Sequence, residues 1–95
     1  MNNGKQIIND LITSQSSQRP TPKRGEVYQH FKGNYYIIED IALDTESESE
    51  VVIYRALYGE HKLFSRSLSM FMEVLPSGIY RFTKADFLDK GNRVL

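Results

Sequence analysis

Two arginines of this chain stand where apolar residues are expected. Arg55 interrupts the run VVIYRALY and shares a strand face with Val51, Ile53 and Leu57, while Arg66 shares one with Phe64 and Leu68. An unpaired guanidinium among apolar neighbours is costly, so each needs a carboxylate or carbonyl partner. The internal solution is a pair with Glu26, Glu39 or Glu73. The functional solution is a planar fork offered to a bound carboxylate, phosphate or nucleobase. A second group is aromatic. Strand alternation puts Tyr54 and Tyr58 on one face, and Tyr28 with His30 on another. If those faces coincide they make a wall able to stack a base, cradle proline or serve as core. Core packing is the simpler reading for Tyr54, and the Gly59 turn draws Tyr58 toward the surface. The candidate ligand-binding set is therefore Tyr28, His30, Tyr54, Arg55, Tyr58 and Arg66.

Other chemistries find little footing. There is no phosphate loop, dinucleotide fingerprint, nucleophile elbow or HExxH pair. His30 and His61 lie far apart with no cysteine to join them, so their spacing supports a solvated role over a metal site. Ser65, Ser67 and Ser69 have no base placed to activate them and read as turn and cap residues. Asp44, Glu46, Glu48 and Glu50 form an acidic run of the kind usually found in a solvated loop. Acid–base work by His30 with Glu26 or Glu73 is a third option that no spacing demands. No cofactor is implied.

Composition narrows the classes further. A chain of 95 residues makes one domain with a modest core. The absence of cysteine fits a reducing compartment. No apolar run approaches the roughly 20 residues that span a bilayer, and the N-terminus lacks a secretory pattern, so a cytoplasmic protein with no membrane partner is expected. A formal net charge of +0 argues against strong nucleic-acid binding. RNA or DNA stays an alternative partner, with Arg19, Lys23, Arg24 and Lys32 as the phosphate contacts.

The elements that must position these residues follow from periodicity. Ile7, Ile8, Leu11 and Ile12 give residues 3–14 a helical stripe, which docks on its own domain or pairs with a second copy as a homodimer. SQSSQRPTPK is a linker, so residues 1–22 form an N-terminal helix and tether. Residues 23–82 form the β domain. Strands are expected over 26–31, 35–42, 51–58 and 63–66, with short ones at 72–75 and 79–82 around Pro76-Ser77-Gly78. Lys32-Gly33-Asn34 is a hairpin turn, and YYII suggests a strand covered on both faces or strongly curled. Ser67 caps a helical turn that brings Leu68 and Phe71 inward. Thr83-Lys84-Ala85-Asp86 resembles a capping box and opens a C-terminal helix and tail, 83–95. The sum is a mostly-β meander of about five short strands, whose edges are covered if it curls into a small barrel.

The same residues carry a family likeness. Gly25-x-x-Tyr28-x-His30-Phe31-Lys32-Gly33, then Tyr36, then Val52 to Gly59, then Arg66 and Met70-Phe71-x-Glu73, resembles the bacterial family called domain of unknown function 1653. The likeness covers about half of the chain and leaves out both terminal helices. It implies a small barrel of the Src-homology-3 type and no settled activity. Asp44 stands where the family often has a histidine, and Ser67 where it has a proline. The expectation drawn from residues and likeness together is a non-catalytic binding module for a peptide, nucleotide-like ligand or partner protein.

Overall fold

The computed structural model describes residues 19–86. The helix expected over 3–14, its dimer role and the tail beyond Asp86 lie outside them. The described chain makes one antiparallel sheet: β1 Val27–His30, β2 Tyr35–Asp44, β3 Ser49–Ala56, β4 Leu63–Ser67 and β5 Phe82–Lys84. A single helical turn, α1, spans Leu68–Phe71 between β4 and β5. The strand order is β4-β3-β2-β1-β5, so the first four strands meander and the last returns to the free side of β1. Among the described residues no helix is long and apolar enough to cross a membrane.

Register explains which side chains become core. Tyr28 stands opposite Tyr36, Tyr36 opposite Ala56, Ile38 opposite Tyr54, and Tyr54 opposite Phe64. Directly opposed residues project to the same face, so one set of aromatic and branched side chains runs across four strands. The β1–β2 hairpin sets this register. Gly33 turns it at φ +114, a conformation that a residue with a β-carbon avoids. Val52, Ile38, Phe71 and Phe82 are among the fully buried side chains at the centre.

A bulge resolves the doubly apolar YYII. The β2–β3 register shifts between Ile38 and Asp40, leaving Glu39 as the extra residue. An extra residue resets the alternation. Ile38 and Ile41 consequently both face the core although three positions apart, Ile38 opposite Tyr54 and Ile41 opposite Val52. Half of the acidic stretch 43–50, read as a solvated loop or an extension of the hairpin, lies in strands, and 45–48 form the exposed turn between them. β2 continues to Asp44 and β3 begins at Ser49, with the Glu48 N–H donating to the Asp44 carbonyl at 2.7 Å.

The sheet is rolled. Tyr54 on β3 and Phe82 on β5 are three strand steps apart, about 14 Å in a flat sheet. Their ring centroids are 5.4 Å apart. Arg66 on one edge strand brings its guanidinium carbon within 5.9 Å of the Phe82 ring on the other. The ladder nonetheless stays open, because β4 and β5 do not pair among the described residues. What was expected as a closed barrel is seen as a rolled five-stranded sheet. α1 fills the seam. Phe71 stacks on Phe82 at 4.0 Å and meets Tyr28 and Tyr54 edge-on at 5.3 and 5.4 Å. Ser67 caps the turn as its sequence suggested, its Oγ accepting from the Met70 N–H at 3.2 Å.

The last segments differ from expectation. The two short strands around Pro76-Ser77-Gly78 reduce to one bridge, Val74 to Tyr80. Thr83 and Lys84, expected to cap a helix, continue β5, since Lys84 pairs opposite Tyr28. The free side of β1 offered them a ladder, and ladder hydrogen bonds outweigh a local cap.

Candidate functional site

Near the seam, five strands contribute to one cleft. β1 supplies His30, β2 Tyr36, β3 Tyr54, β4 Phe64 and Arg66, and β5 Phe82, while Tyr58 enters from the β3–β4 turn. These residues enclose about 190 Å³. Four of the six residues expected from sequence are therefore together: His30, Tyr54, Tyr58 and Arg66. Tyr36, Phe64 and Phe82 complete the lining.

The walls are rings and the polar atoms are donors. Tyr54 stacks on Phe64 with centroids 5.7 Å apart, and its hydroxyl accepts from Arg66 Nε at 3.3 Å. Among the described residues no carboxylate reaches ion-pair distance of Arg66, and none lines the cleft. The hydroxyls of Tyr36 and Tyr58 lie 2.8 Å apart. Burial, then that hydrogen bond, pushes the Tyr36 phenol up to about 12, so it keeps its proton. His30 Nδ1 accepts from the Lys32 backbone N–H at 3.2 Å, which leaves the neutral ring's proton on Nε2. Burial, followed by Arg66, Arg81 and Lys32, lowers the His30 pKa from its ordinary value and keeps the ring uncharged at neutral pH. One cation, one imidazole N–H and three phenols form a set suited to an acceptor-rich anion, and ill-suited to a metal or an ammonium group.

The other two expected residues go elsewhere. Arg55 follows Tyr54 directly, so alternation sends it to the opposite, outer face. There its Nε donates to Glu39 Oε2 at 2.9 Å and its Nη1 to the His61 carbonyl at 3.0 Å. Its partner is thus one of the three acids the sequence offered. Tyr28 is core, and burial followed by Glu26 raises its phenol to about 12. It also borders a larger cleft of about 410 Å³ with Arg19, Tyr80 and Lys84. The charges of that cleft are largely satisfied within the chain. Lys84 pairs with Glu26 at 3.6 Å and Asp86 at 2.7 Å, and Arg19 donates to the Phe82 and Met72 carbonyls at 2.7 and 2.9 Å.

Several sequence proposals meet these contacts. Of the four cations offered for phosphate, Arg19 is held by carbonyls and the Tyr80 ring, and Arg24 by Asp40 and the Glu39 carbonyl. The acids offered to His30 pair elsewhere, Glu26 with Lys84 and Glu73 with Arg81. Among the described residues no group of three His, Cys, Asp or Glu side chains is placed to hold a metal. Tyr36 and Arg19 were missed as positioned residues. Counting outward from the Gly33 turn would have placed Tyr36 opposite Tyr28; nothing local marks Arg19.

A family model described as Protein of unknown function (DUF1653) matches residues 26–84, more than half of the chain. The chain belongs to this family. The matched span reaches from the residue before β1 to the end of β5, so every cleft residue lies in the DUF1653 region. His30, Tyr36, Tyr54, Tyr58 and Arg66, which carried the likeness from separate stretches of sequence, meet here in DUF1653 as a single lining. No curated protein and no solved structure matches the chain.

Proposed function

We propose that this DUF1653 domain is a non-catalytic binding module, on a rolled sheet of the Src-homology-3 type, that takes its ligand in the cleft around Arg66. The open meander, the helical turn between its fourth and fifth strands and the approach of its two edges support that fold reading. The observation that carries the function is the state of the Arg66 guanidinium. It sits among aromatic rings with a phenol as its one side-chain partner among the described residues, while Arg55 and Arg81 each have a carboxylate. The structural arginines of this chain are held by a carboxylate or, as Arg19 is, by two carbonyls, and among the described residues Arg66 has neither. The ligand is a peptide, a nucleotide-like molecule or a partner protein that presents an anionic, acceptor-rich group beside a flat or apolar one. Nucleic acid draws less support, since Arg19 and Arg24 are engaged within the chain.

The test is a titration of the full chain with aryl carboxylates, aryl phosphates and short peptides, followed by amide shifts. Perturbations gathered on His30, Tyr36, Tyr58, Phe64 and Arg66 are expected. Perturbations confined to the Arg55 face or to the Tyr28 cleft would overturn the assignment.

A further inference from the structure

The strand that carries Arg66 is also an edge. In β4 the residues that bond to β3 can be read from the turn: the Ala56 N–H donates to the Lys62 carbonyl at 2.9 Å, and residues 56 and 62 are in register with Tyr54–Phe64 and Val52–Arg66. Antiparallel pairs alternate between bonded and non-bonded. Lys62, Phe64 and Arg66 therefore turn their backbone groups toward β3, and Leu63, Ser65 and Ser67 turn theirs away from the sheet. No described strand pairs with that outer row. Leu63 is 51% exposed, and Ser65 is exposed as well. A free row of N–H and C=O groups is a template for another strand.

Taking the Arg66 cleft as the binding site, as proposed above, we infer that its ligand is an extended peptide that adds to the β4 edge and places an acidic side chain against Arg66. A strand laid on β4 shares its pleat, so the residue opposite Arg66 projects to the cleft face with β-carbons roughly 5 Å apart. Two positions along, the next inward side chain meets Phe64, which is 39% exposed and continuous with the exposed Tyr58 ring. The recognised pattern is therefore an acid, any residue, then an aromatic or branched side chain, held by backbone pairing for affinity and by the cleft for selectivity. Charge supports an acid there. Arg66, Arg81 and Lys32 all act on His30, and among the described residues no carboxylate lines the cleft.

The experiment uses two pools of capped seven-residue peptides. One has glutamate fixed at the centre, the other glutamine, and both vary the inward positions on either side among Val, Ile and Tyr. With the full chain, the glutamate pool binds about tenfold more tightly than the glutamine pool and slows amide exchange at Leu63 and Ser65. Arg66→Gln removes the difference between pools, and Arg66→Lys retains part of it. Ser65→Pro deletes an outward-facing N–H that an edge strand can spare, so it keeps the fold and loses the peptide. Equal binding of the two pools, or glutamate-selective binding with unchanged exchange at Leu63 and Ser65, overturns strand addition with an acidic anchor. If neither pool binds while aryl anions still perturb the cleft, the peptide inference fails and the binding-module reading stands. If nothing perturbs the cleft, both fail.

Discussion

Phe71 is the side chain on which the rolled sheet closes, and its removal has a calculable effect. Phe71 is fully buried, in face-to-face contact with Phe82 and edge-on to Tyr28 and Tyr54. Replacing a buried phenylalanine with alanine costs about 3–5 kcal/mol. A folded region of this size has a total stability of about 3–10 kcal/mol, so Phe71→Ala leaves the domain at or near its unfolding threshold. Phe71→Leu is the more informative change. It keeps most of the apolar area and loses three ring pairs, each worth about 0.5–1.5 kcal/mol beyond burial, so a loss of about 2–4 kcal/mol is expected. Urea unfolding followed by far-ultraviolet dichroism measures it, as a lower midpoint at constant slope. The same change loosens Phe82, the ring behind the cleft, and so weakens ligand binding in the fraction that stays folded. A Phe71→Leu loss below about 0.5 kcal/mol would refute the view that α1 closes the roll.

Three further outcomes follow from the contacts. Arg19→Lys keeps the charge but not the fork that joins the Phe82 and Met72 carbonyls, and costs about 1–3 kcal/mol in urea unfolding. The Arg55–Glu39 pair is 41% exposed on both sides, so a double-mutant cycle returns a coupling of about 0.2–1 kcal/mol, and Arg55→Gln leaves ligand binding unchanged. His30 titrates below its ordinary value of ~6.5 in the folded chain. The unfolded chain therefore takes up the proton first. Its stabilising contribution is complete above pH ~6.5 and is lost as pH falls through the lower, folded value. Thermal midpoints from pH 8 to pH 5 show this decline, and His30→Gln makes it shallower.

Much of the fold was readable because it depends on neighbours in the sequence. The Gly33 turn, the branched run VVIYRALY and the Ser67 cap each name their own local structure, and each is present. Alternation also held the correction for Arg55, since adjacent residues of one strand cannot share a face, and Tyr54 was expected inside. The Glu39 bulge was less accessible: YYII signals apolar residues on both faces without showing that the register slips one residue later. That the meander curls was expected from its short strands and bare edges, but the contacts made across the roll were not readable. The roll brings β3, β4 and β5 together across contacts remote in sequence, and Phe82 carries no local mark of being the ring on which they converge. Arg19 is the extreme case, a linker residue whose partners lie 53 and 63 positions away.

The most direct measurement is the titration of the His30 imidazole, followed by NMR in the full chain with and without saturating benzoate or phenyl phosphate. Burial and then the nearby cations depress this histidine; an anion held by Arg66 offsets the cations, so the pKa moves upward on binding, and Arg66→Gln abolishes the movement. An unchanged His30 titration at ligand concentrations that shift amides elsewhere on the protein would contradict the placement of the binding site in this cleft.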